Sequence, residues 1–102
     1  MTLPFPWQEP WAALSGSSLA SFQHQLAREL VPGHPLYGRK GTLLGKHAGH
    51  DDVLVALESE RLAVVHLIWG GAGDAQYPLT TFFTDWADFI AQRMELDALD
   101  YR

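Results

Sequence analysis

The chain has 102 residues, of which 47% are hydrophobic and 19% charged, and its formal net charge at pH 7 is −5. This length and composition are typical of one folded domain, and they exclude both two independent domains and a largely disordered chain. Only seven Lys and Arg residues are present, which excludes general affinity for nucleic acid. The lack of cysteine excludes disulfides, thiolate chemistry and cysteine-based metal sites.

The opening segment, MTLPFPWQEPW, has neither the basic start nor the continuous apolar stretch of a secretory signal. No apolar run in the chain approaches the roughly 20 residues that cross a bilayer. We therefore expect a cytoplasmic protein that binds no membrane. Because the sequence contains no cofactor fingerprint, we expect no cofactor.

Residues 1–16 form an N-terminal arm that is rich in proline and large aromatic side chains. Pro10 is placed to begin a short helix. The rings of Phe5, Trp7 and Trp11 have two possible roles. Either they lie over the core, or Trp7 and Trp11 form an aromatic surface for a partner.

A helix is predicted from Leu19 to Val31, with Ser17 or Ser18 as its N-cap. It ends at the sequence VPGHP, because proline cannot continue a helix and the glycine after it releases the backbone. The prediction depends on apolar residues at helical spacing, namely Leu19, Phe22, Leu26 and Leu30.

Further along the chain the hydrophobic period changes, and three strands are predicted: TLLGKH, DVLVALE and RLAVVHLIW. The intervals between them are too short for a helical crossover, which makes them an antiparallel meander. If Ser59 and Glu60 form a two-residue turn, Val53 lies opposite His66, and a one-residue slip would reverse the faces. A fourth strand could lie in the arm or around Tyr77.

The segment from Gly70 to Pro78 is predicted to be a flexible loop, and a second helix follows from Thr84 to Leu96. Either Thr84 or Asp85 caps this helix, and residues 98–102 form a frayed tail. Its apolar face consists of Trp86, Phe89, Ile90 and Met94, extended upstream by Phe82 and Phe83.

The simplest fold for these elements is α+β with two layers. A small antiparallel meander of three to four strands then carries both helices on one face, so that both amphipathic stripes are buried. Residues 17–97 form this helix–strands–helix core of a single domain that spans residues 1–102.

The sequence GKHAGHDD, residues 45–52, contains two histidines followed by two aspartates. His47, His50 and Asp51 are possible ligands of a metal ion, because a turn lets such side chains converge. The spacing differs from the HExxH of metalloproteases, where both histidines lie on one helix face. The same residues also suit a hairpin turn whose polar side chains face water.

Acid–base chemistry by a histidine–aspartate pair is the second possibility for these polar residues. The four main candidates are His34 and His66 as the base and Asp51 or Asp52 as the carboxylate that orients it. His47 and His50 are also possible bases. No Gly-x-Ser-x-Gly nucleophile motif accompanies them. His66 lies in a strand of valine and leucine, so it also fits a core histidine that is hydrogen-bonded for structural reasons.

Positive charge is concentrated between residues 31 and 50, where Arg39, Lys40 and Lys46 occur without any acidic residue. These cations either form a basic rim that binds a small anion or an acidic partner, or they belong to a solvated surface. From Asp85 onward acidic residues outnumber arginines, so the last helix could instead engage a basic partner.

Several stretches carry a shared pattern: HPLYG after the first helix, HDDVLVAL and AVVHLIW in the strands, and YPLTTFFTDWADFIAQRM leading into the last helix. In these stretches the chain resembles a family of small bacterial proteins of unknown function. The resemblance covers about residues 26–97 and implies a bacterial, single-domain α+β protein, without assigning a catalytic residue. The matching positions are His34, Asp51, Asp52, His66 and Trp69.

Three functions remain open for such a chain. The first is a non-catalytic binding or regulatory module that engages a protein partner or a small ligand, as a monomer or a homodimer. The second is a small enzyme or metal-binding protein, whose histidines and aspartates would have to converge in one pocket. The third is a toxin-immunity protein or antitoxin, which an acidic single domain with exposed aromatic residues would suit.

Overall fold

The elements of the fold are seen in a computed structural model that describes residues 7–101, apart from the side chain of Tyr101. In chain order they are β1 (Trp11–Ala13), α1 (Gly16–Glu29), β2 (Thr42–His47), β3 (Asp52–Ala56), β4 (Leu62–His66), β5 (Leu79–Phe83), α2 (Trp86–Phe89) and α3 (Glu95–Tyr101). A π-helical segment, Ile90–Met94, joins α2 to α3, and the three together are called the C-terminal helix. Phe5 of the predicted aromatic arm lies outside the described residues.

The five strands form one antiparallel sheet in the order β1-β2-β3-β4-β5. The α+β class and the antiparallel meander are therefore confirmed, but the sheet has five strands rather than three or four. One additional strand, β1, forms where a short helix was predicted after Pro10, because Trp11 pairs with His47 of β2 and buries its indole. The other, β5, contains Phe82 and Phe83, which the sequence placed with the last helix.

The two helices cover opposite faces of the sheet, so the prediction that both pack on one face is wrong. On the α1 face, Leu26 of α1 joins Val53 of β3 in one hydrophobic core. On the other face, called the C-terminal-helix face, Phe89 joins Leu54 in a second core. Strands β3 and β4 are buried on both faces, and a single helical layer would have left half of their apolar side chains in water.

The β3–β4 hairpin has a longer turn than the sequence suggested. The N–H of Leu57 donates to the carbonyl oxygen of Arg61 at 2.7 Å, and the three residues Glu58–Glu60 form the turn between them, with Ser59 and Glu60 in left-handed backbone. The predicted two-residue turn is therefore wrong, and the register differs by one position. His66 lies opposite Asp52 and not Val53, which places both polar side chains on the C-terminal-helix face.

Helix α1 begins earlier than predicted. It starts at Gly16, and the N–H of Leu19 donates to the carbonyl oxygen of Ser15, which makes Ser15 the N-cap residue in place of Ser17 or Ser18. The helix ends at Glu29, shortly before the VPGHP sequence that was expected to stop it.

The C-terminal helix begins where the sequence indicated and ends later. Asp85 is its N-cap, because the Asp85 carboxylate accepts the N–H of Asp88 at 2.9 Å. The helix continues through Tyr101 and buries Ala98, so residues 98–101 are helical where the sequence suggested a frayed tail. Within residues 7–101, no helix combines the length and apolar character needed to cross a membrane.

Candidate functional site

Four charged or polar side chains meet under the C-terminal helix, and they are called the histidine–aspartate cluster: Asp52, His66, Arg93 and Asp97. Asp52 and His66 are paired across β3 and β4, with 2.6 Å between Asp52 Oδ1 and His66 Nδ1. Because an ionised carboxylate only accepts, His66 donates through Nδ1–H and its Nε2 is left for another partner. The His66 side chain is 53% exposed, whereas that of Asp52 is 12% exposed.

Arg93 connects the sheet to the C-terminal helix. Its Nη2 donates to Asp52 Oδ2 at 2.9 Å and its Nε donates to Asp97 Oδ2 at 3.2 Å. The same Asp97 oxygen accepts the indole N–H of Trp11 at 2.7 Å. Arg93 lies in the π-helical segment, and such segments inside α-helices occur frequently at functional sites. The cluster therefore holds β1, β3, β4 and the C-terminal helix together.

The charge of Asp52 is fixed by its neighbours. Burial acts to raise the pKa of Asp52, but the hydrogen bonds from Arg93 and His66 outweigh it and hold this pKa below its ordinary value of 3.8. The group is therefore a carboxylate at neutral pH. An imidazole oriented by a carboxylate is the arrangement of a general base. Of the four catalytic candidates predicted from the sequence, the structure brings these two together, His66 and Asp52.

The proposed metal ligands have other contacts. His47 Nδ1 accepts the N–H of Gly49 at 2.9 Å, and the His47 and His50 rings stack with 4.3 Å between their centroids. Burial lowers the pKa of His47 below 6.5, and the neighbouring His50 lowers it further, so His47 is neutral at pH 7. Asp51 is exposed. In the described part of the chain, no three His, Cys, Asp or Glu side chains are arranged to hold a metal ion.

His34, the fourth catalytic candidate, is a buried structural residue. Its Nε2–H donates to the carbonyl oxygen of Pro78 at 2.8 Å, and its Nδ1 accepts the N–H of Leu36 at 3.0 Å. Both ring nitrogens are therefore occupied by backbone groups. His34 fixes the loop after α1 to the start of β5 and takes no part in the histidine–aspartate cluster.

The predicted basic rim is divided among separate contacts. Arg39 donates to the Glu58 carboxylate through Nε and Nη2. Lys46 donates from Nζ to the carbonyl oxygens of His47 and His50, at 2.8 and 2.7 Å, and so closes the β2–β3 turn. Lys40 is exposed and lines a cleft beside the β3–β4 turn. These three cations do not form one anion site.

The two tryptophans of the predicted aromatic partner surface, Trp7 and Trp11, are not exposed side by side. Trp11 is only 1% exposed, so its assignment to a partner surface is wrong: the indole fills the core of the C-terminal-helix face. Trp7 is half-buried and packs edge-to-face on Trp86, with 5.6 Å between ring centroids. Burial over the core was one of the two roles that the sequence allowed for these rings, and the structure shows burial for Trp11.

Comparison with protein families, with curated proteins and with solved structures finds no match for this chain. Two features that the sequence did not indicate are relevant: a buried glutamate at the end of α1, and an apolar surface at the edge of the sheet.

Glu29 is fully buried at the end of α1 and binds the chain that leaves β4. Its Oε1 accepts the N–H of Ile68 at 2.8 Å, and its Oε2 accepts the N–H of Trp69 at 3.0 Å and the side-chain amide of Gln25 at 2.6 Å. Its backbone carbonyl accepts the N–H of Gly73. These contacts hold Trp69 at φ 60°, a left-handed conformation that is strained for a bulky residue.

The apolar surface surrounds β5, the strand at one edge of the sheet. It consists of five side chains that are each 36–48% exposed, and it is called the β5 surface: Ile68, Trp69, Tyr77, Leu79 and Phe82. His66, the last residue of β4, pairs with Leu79, the first residue of β5. Residues 68 and 69 leave β4 and residue 77 approaches β5 at this same end of the two strands. The surface holds most of the eight large hydrophobic side chains that are exposed within residues 7–101.

Proposed function

We propose that this chain is a non-catalytic binding module, and that its β5 edge adds an extended, uncharged segment of a partner protein to the sheet. The observation that carries the proposal is the edge position of β5, which pairs with β4 alone among the described strands and whose sequence LTTFF has no charged residue and no proline. Edge strands of natural proteins are usually protected by charge, proline or a bulge, and an unprotected edge is a template for strand addition. We also propose that the protein binds this partner in the cytoplasm.

The side chains around the edge support the same function. Leu79 and Phe82 point to opposite faces of β5, so an added strand would find an apolar contact on each face. Trp69 follows the end of β4 that pairs with Leu79, and its indole packs edge-to-face on Phe22 with 5.6 Å between ring centroids. Glu29 fixes the Trp69 backbone, and an aromatic anchor that is already ordered loses little conformational entropy on binding.

The test uses short displayed peptides as probes. A library of random seven-residue peptides is selected against the wild-type chain, and the affinity of each selected peptide is measured by calorimetry. Leu79→Lys places a charge on the β5 edge and should weaken binding about tenfold or more. Leu99→Lys is the matched control, because Leu99 is an exposed leucine on the C-terminal helix, and it should leave the affinity unchanged.

Two results would overturn the proposal. One is a selection that yields no peptide whose affinity depends on Leu79. The other is self-association that Leu79→Lys abolishes, because the occupant of the edge would then be a second copy of this chain. Backbone amide shifts confined to residues 79–83 on peptide binding would support the proposal, since added strands bond to the backbone.

Acid–base catalysis by the histidine–aspartate cluster is a second candidate function, which the 2.6 Å contact between His66 and Asp52 favours. Two clefts of the surface, of about 550 and 180 Å³, are lined by other residues. Hydrolysis of p-nitrophenyl acetate should then depend on His66, and His66→Gln should abolish it. A wild-type rate no greater than that of free imidazole at the same concentration would exclude this function.

The remaining expectations from the sequence can be placed beside this proposal. A toxin-immunity or antitoxin role is one form of partner binding, and the acidic residues of the C-terminal helix support a basic partner for it. Membership of the bacterial family that the chain resembles remains a proposal. Among the positions that carry that resemblance, Trp69 belongs to the β5 surface, while Asp52 and His66 belong to the histidine–aspartate cluster.

A further inference from the structure

A cleft of about 550 Å³ opens beside the turn of the β3–β4 hairpin, and it is called the hairpin cleft. Its apolar floor is formed by Leu44, Ala56 and Leu62, and the Trp86 side chain lines it from the start of the C-terminal helix. This volume lies within the range of about 300–1,000 Å³ that small-molecule sites occupy. The hairpin cleft shares no residue with the β5 surface.

The position of the C-terminal helix explains why the hairpin cleft exists. The helix begins at Trp86 and packs Phe89 and Met94 on the sheet, while the end of the same face nearest the hairpin turn holds the cleft. Trp86 is fixed there by edge-to-face contacts with Trp7 and Phe89, each with 5.6 Å between ring centroids. The cleft therefore has a wall that is ordered before any ligand arrives.

The hairpin turn that lines the cleft is strained. Ser59 and Glu60 are consecutive residues with φ values of 60° and 63°, and neither is glycine. Left-handed conformations of this kind are uncommon outside glycine and asparagine, and they concentrate at binding sites and ligand clamps. Tight hairpin turns require positive φ at both central residues, so this geometry belongs to the hairpin and gives the rim of the cleft a fixed shape.

The charges around the cleft indicate the kind of ligand. Lys40 and Arg61 line the rim, and neither forms an ion pair within residues 7–101. Glu58 also lines it; its carboxylate is paired with Arg39 and is also within electrostatic reach of Arg61. The rim therefore retains two cations against the single carboxylate of Glu60, an excess of one positive charge that complements a monoanion.

We infer that the hairpin cleft binds a small aromatic monoanion, with the ring against the indole of Trp86 and the anionic group at Lys40 and Arg61. The apolar floor excludes water from the ring, which supplies the hydrophobic part of the affinity. The two cations on the rim set the orientation and the preference for negative charge. This site is independent of the proposed strand addition at β5.

The test compares three naphthalene probes that share a ring system and differ in charge: 2-naphthoate, 2-naphthalenemethanol and 2-naphthylmethylamine. Binding is followed by NMR through the indole resonances of Trp86 and the backbone amides of Leu44 and Ala56. The 2-naphthoate anion should give saturable shifts at these positions. The amine should bind about tenfold more weakly or not at all, and the alcohol should lie between them.

Charge variants then locate the anionic group. Lys40→Glu reverses one rim charge and should weaken 2-naphthoate binding about tenfold, while the affinity for the alcohol should stay the same. Arg28→Glu is the matched control, because it makes the same change in net charge at an exposed position of α1. The inference is overturned if 2-naphthoate gives no saturable shift, if the three probes bind equally, or if Lys40→Glu and Arg28→Glu have the same effect.

Discussion

Glu29 offers the sharpest test of how this fold holds the β5 surface in place. Its carboxylate is fully buried and is surrounded by three donors: the N–H groups of Ile68 and Trp69 and the side-chain amide of Gln25. Glu29→Gln keeps the length of the side chain but replaces one acceptor oxygen with an NH₂ group. The substitution removes the negative charge and one acceptor oxygen. It also brings the new NH₂ group, which is a donor, towards the three donors that the carboxylate accepted.

The expected loss follows from the number of hydrogen bonds. A hydrogen bond to a charged group contributes about 1.5–3 kcal/mol, and a buried N–H without an acceptor costs about 1–3 kcal/mol. Glu29→Gln leaves one of the three donors without an acceptor and makes the other two hydrogen bonds neutral. We expect the free energy of unfolding to fall by about 3 kcal/mol, a large part of the roughly 5–15 kcal/mol that stabilises a typical domain.

Urea unfolding at pH 7 measures this loss, and amide hydrogen exchange of Ile68 and Trp69 locates it. Glu95→Gln is the matched control, because Glu95 is an exposed helical residue, and it should change stability by less than about 0.5 kcal/mol. If Glu29→Gln costs less than about 1 kcal/mol and both amides exchange at the wild-type rate, the role assigned to the Glu29 carboxylate is wrong.

Three further changes test other parts of the structure. Because the pKa of His47 is lower in the folded than in the unfolded chain, its contribution to stability is complete above pH 6.5 and is lost as the pH falls through the folded pKa. His47→Gln should therefore flatten the decline of the urea midpoint between about pH 7 and pH 5, and an unchanged slope would contradict this. In Arg93→Lys the lysine cannot contact both aspartates as the guanidinium does. The free energy of unfolding in urea should fall by about 1–2 kcal/mol, more than for an exposed ion pair, because the site is only partly exposed. A loss of stability no larger than that of a neutral surface substitution would show that Arg93 does not bridge the two aspartates. Gly73→Ala places a Cβ on the backbone carbonyl oxygen of Tyr77 and should lower the free energy of unfolding by about 2 kcal/mol. Gly70→Ala is the control, because a Cβ at residue 70 has space, and it should be within about 0.5 kcal/mol of wild type. Equal thermal midpoints for the two variants would refute the contact.

Local patterns predicted the elements well, but they could not determine how these pack together. Strand β2 has the bounds that TLLGKH indicated, and Asp85 caps the C-terminal helix as its position before an apolar run suggested. The hairpin register differed because three residues, Glu58–Glu60, separate Leu57 from its partner Arg61, whereas the prediction assumed a turn of two residues. Propensity alone could not show that Trp11 would pair with the edge of β2, because that pairing depends on a contact distant in sequence.

The candidate site was predicted in part for the same reason. His66 and Asp52 were named from their residue types, and they meet because of the register that the sequence did not indicate. Arg93 and Asp97 are spaced as an ordinary exposed pair on a helix, so nothing in their spacing indicated contact with a strand. Glu29 lies in a helix with other polar residues, and its burial depends on where the chain leaves β4.

The hydrogen bond from the Trp11 indole to Asp97 joins residues that are 86 positions apart. During synthesis on a ribosome, the chain therefore makes all five strands before the residues that complete the second core are available. The α1 face is different, because α1 precedes the central strands and can cover them as they form. Nascent chains that stop before the C-terminal helix would present Leu54, Leu62 and Val64 to water. This half-covered sheet is the species most prone to aggregate, and it is the one that a chaperone would bind.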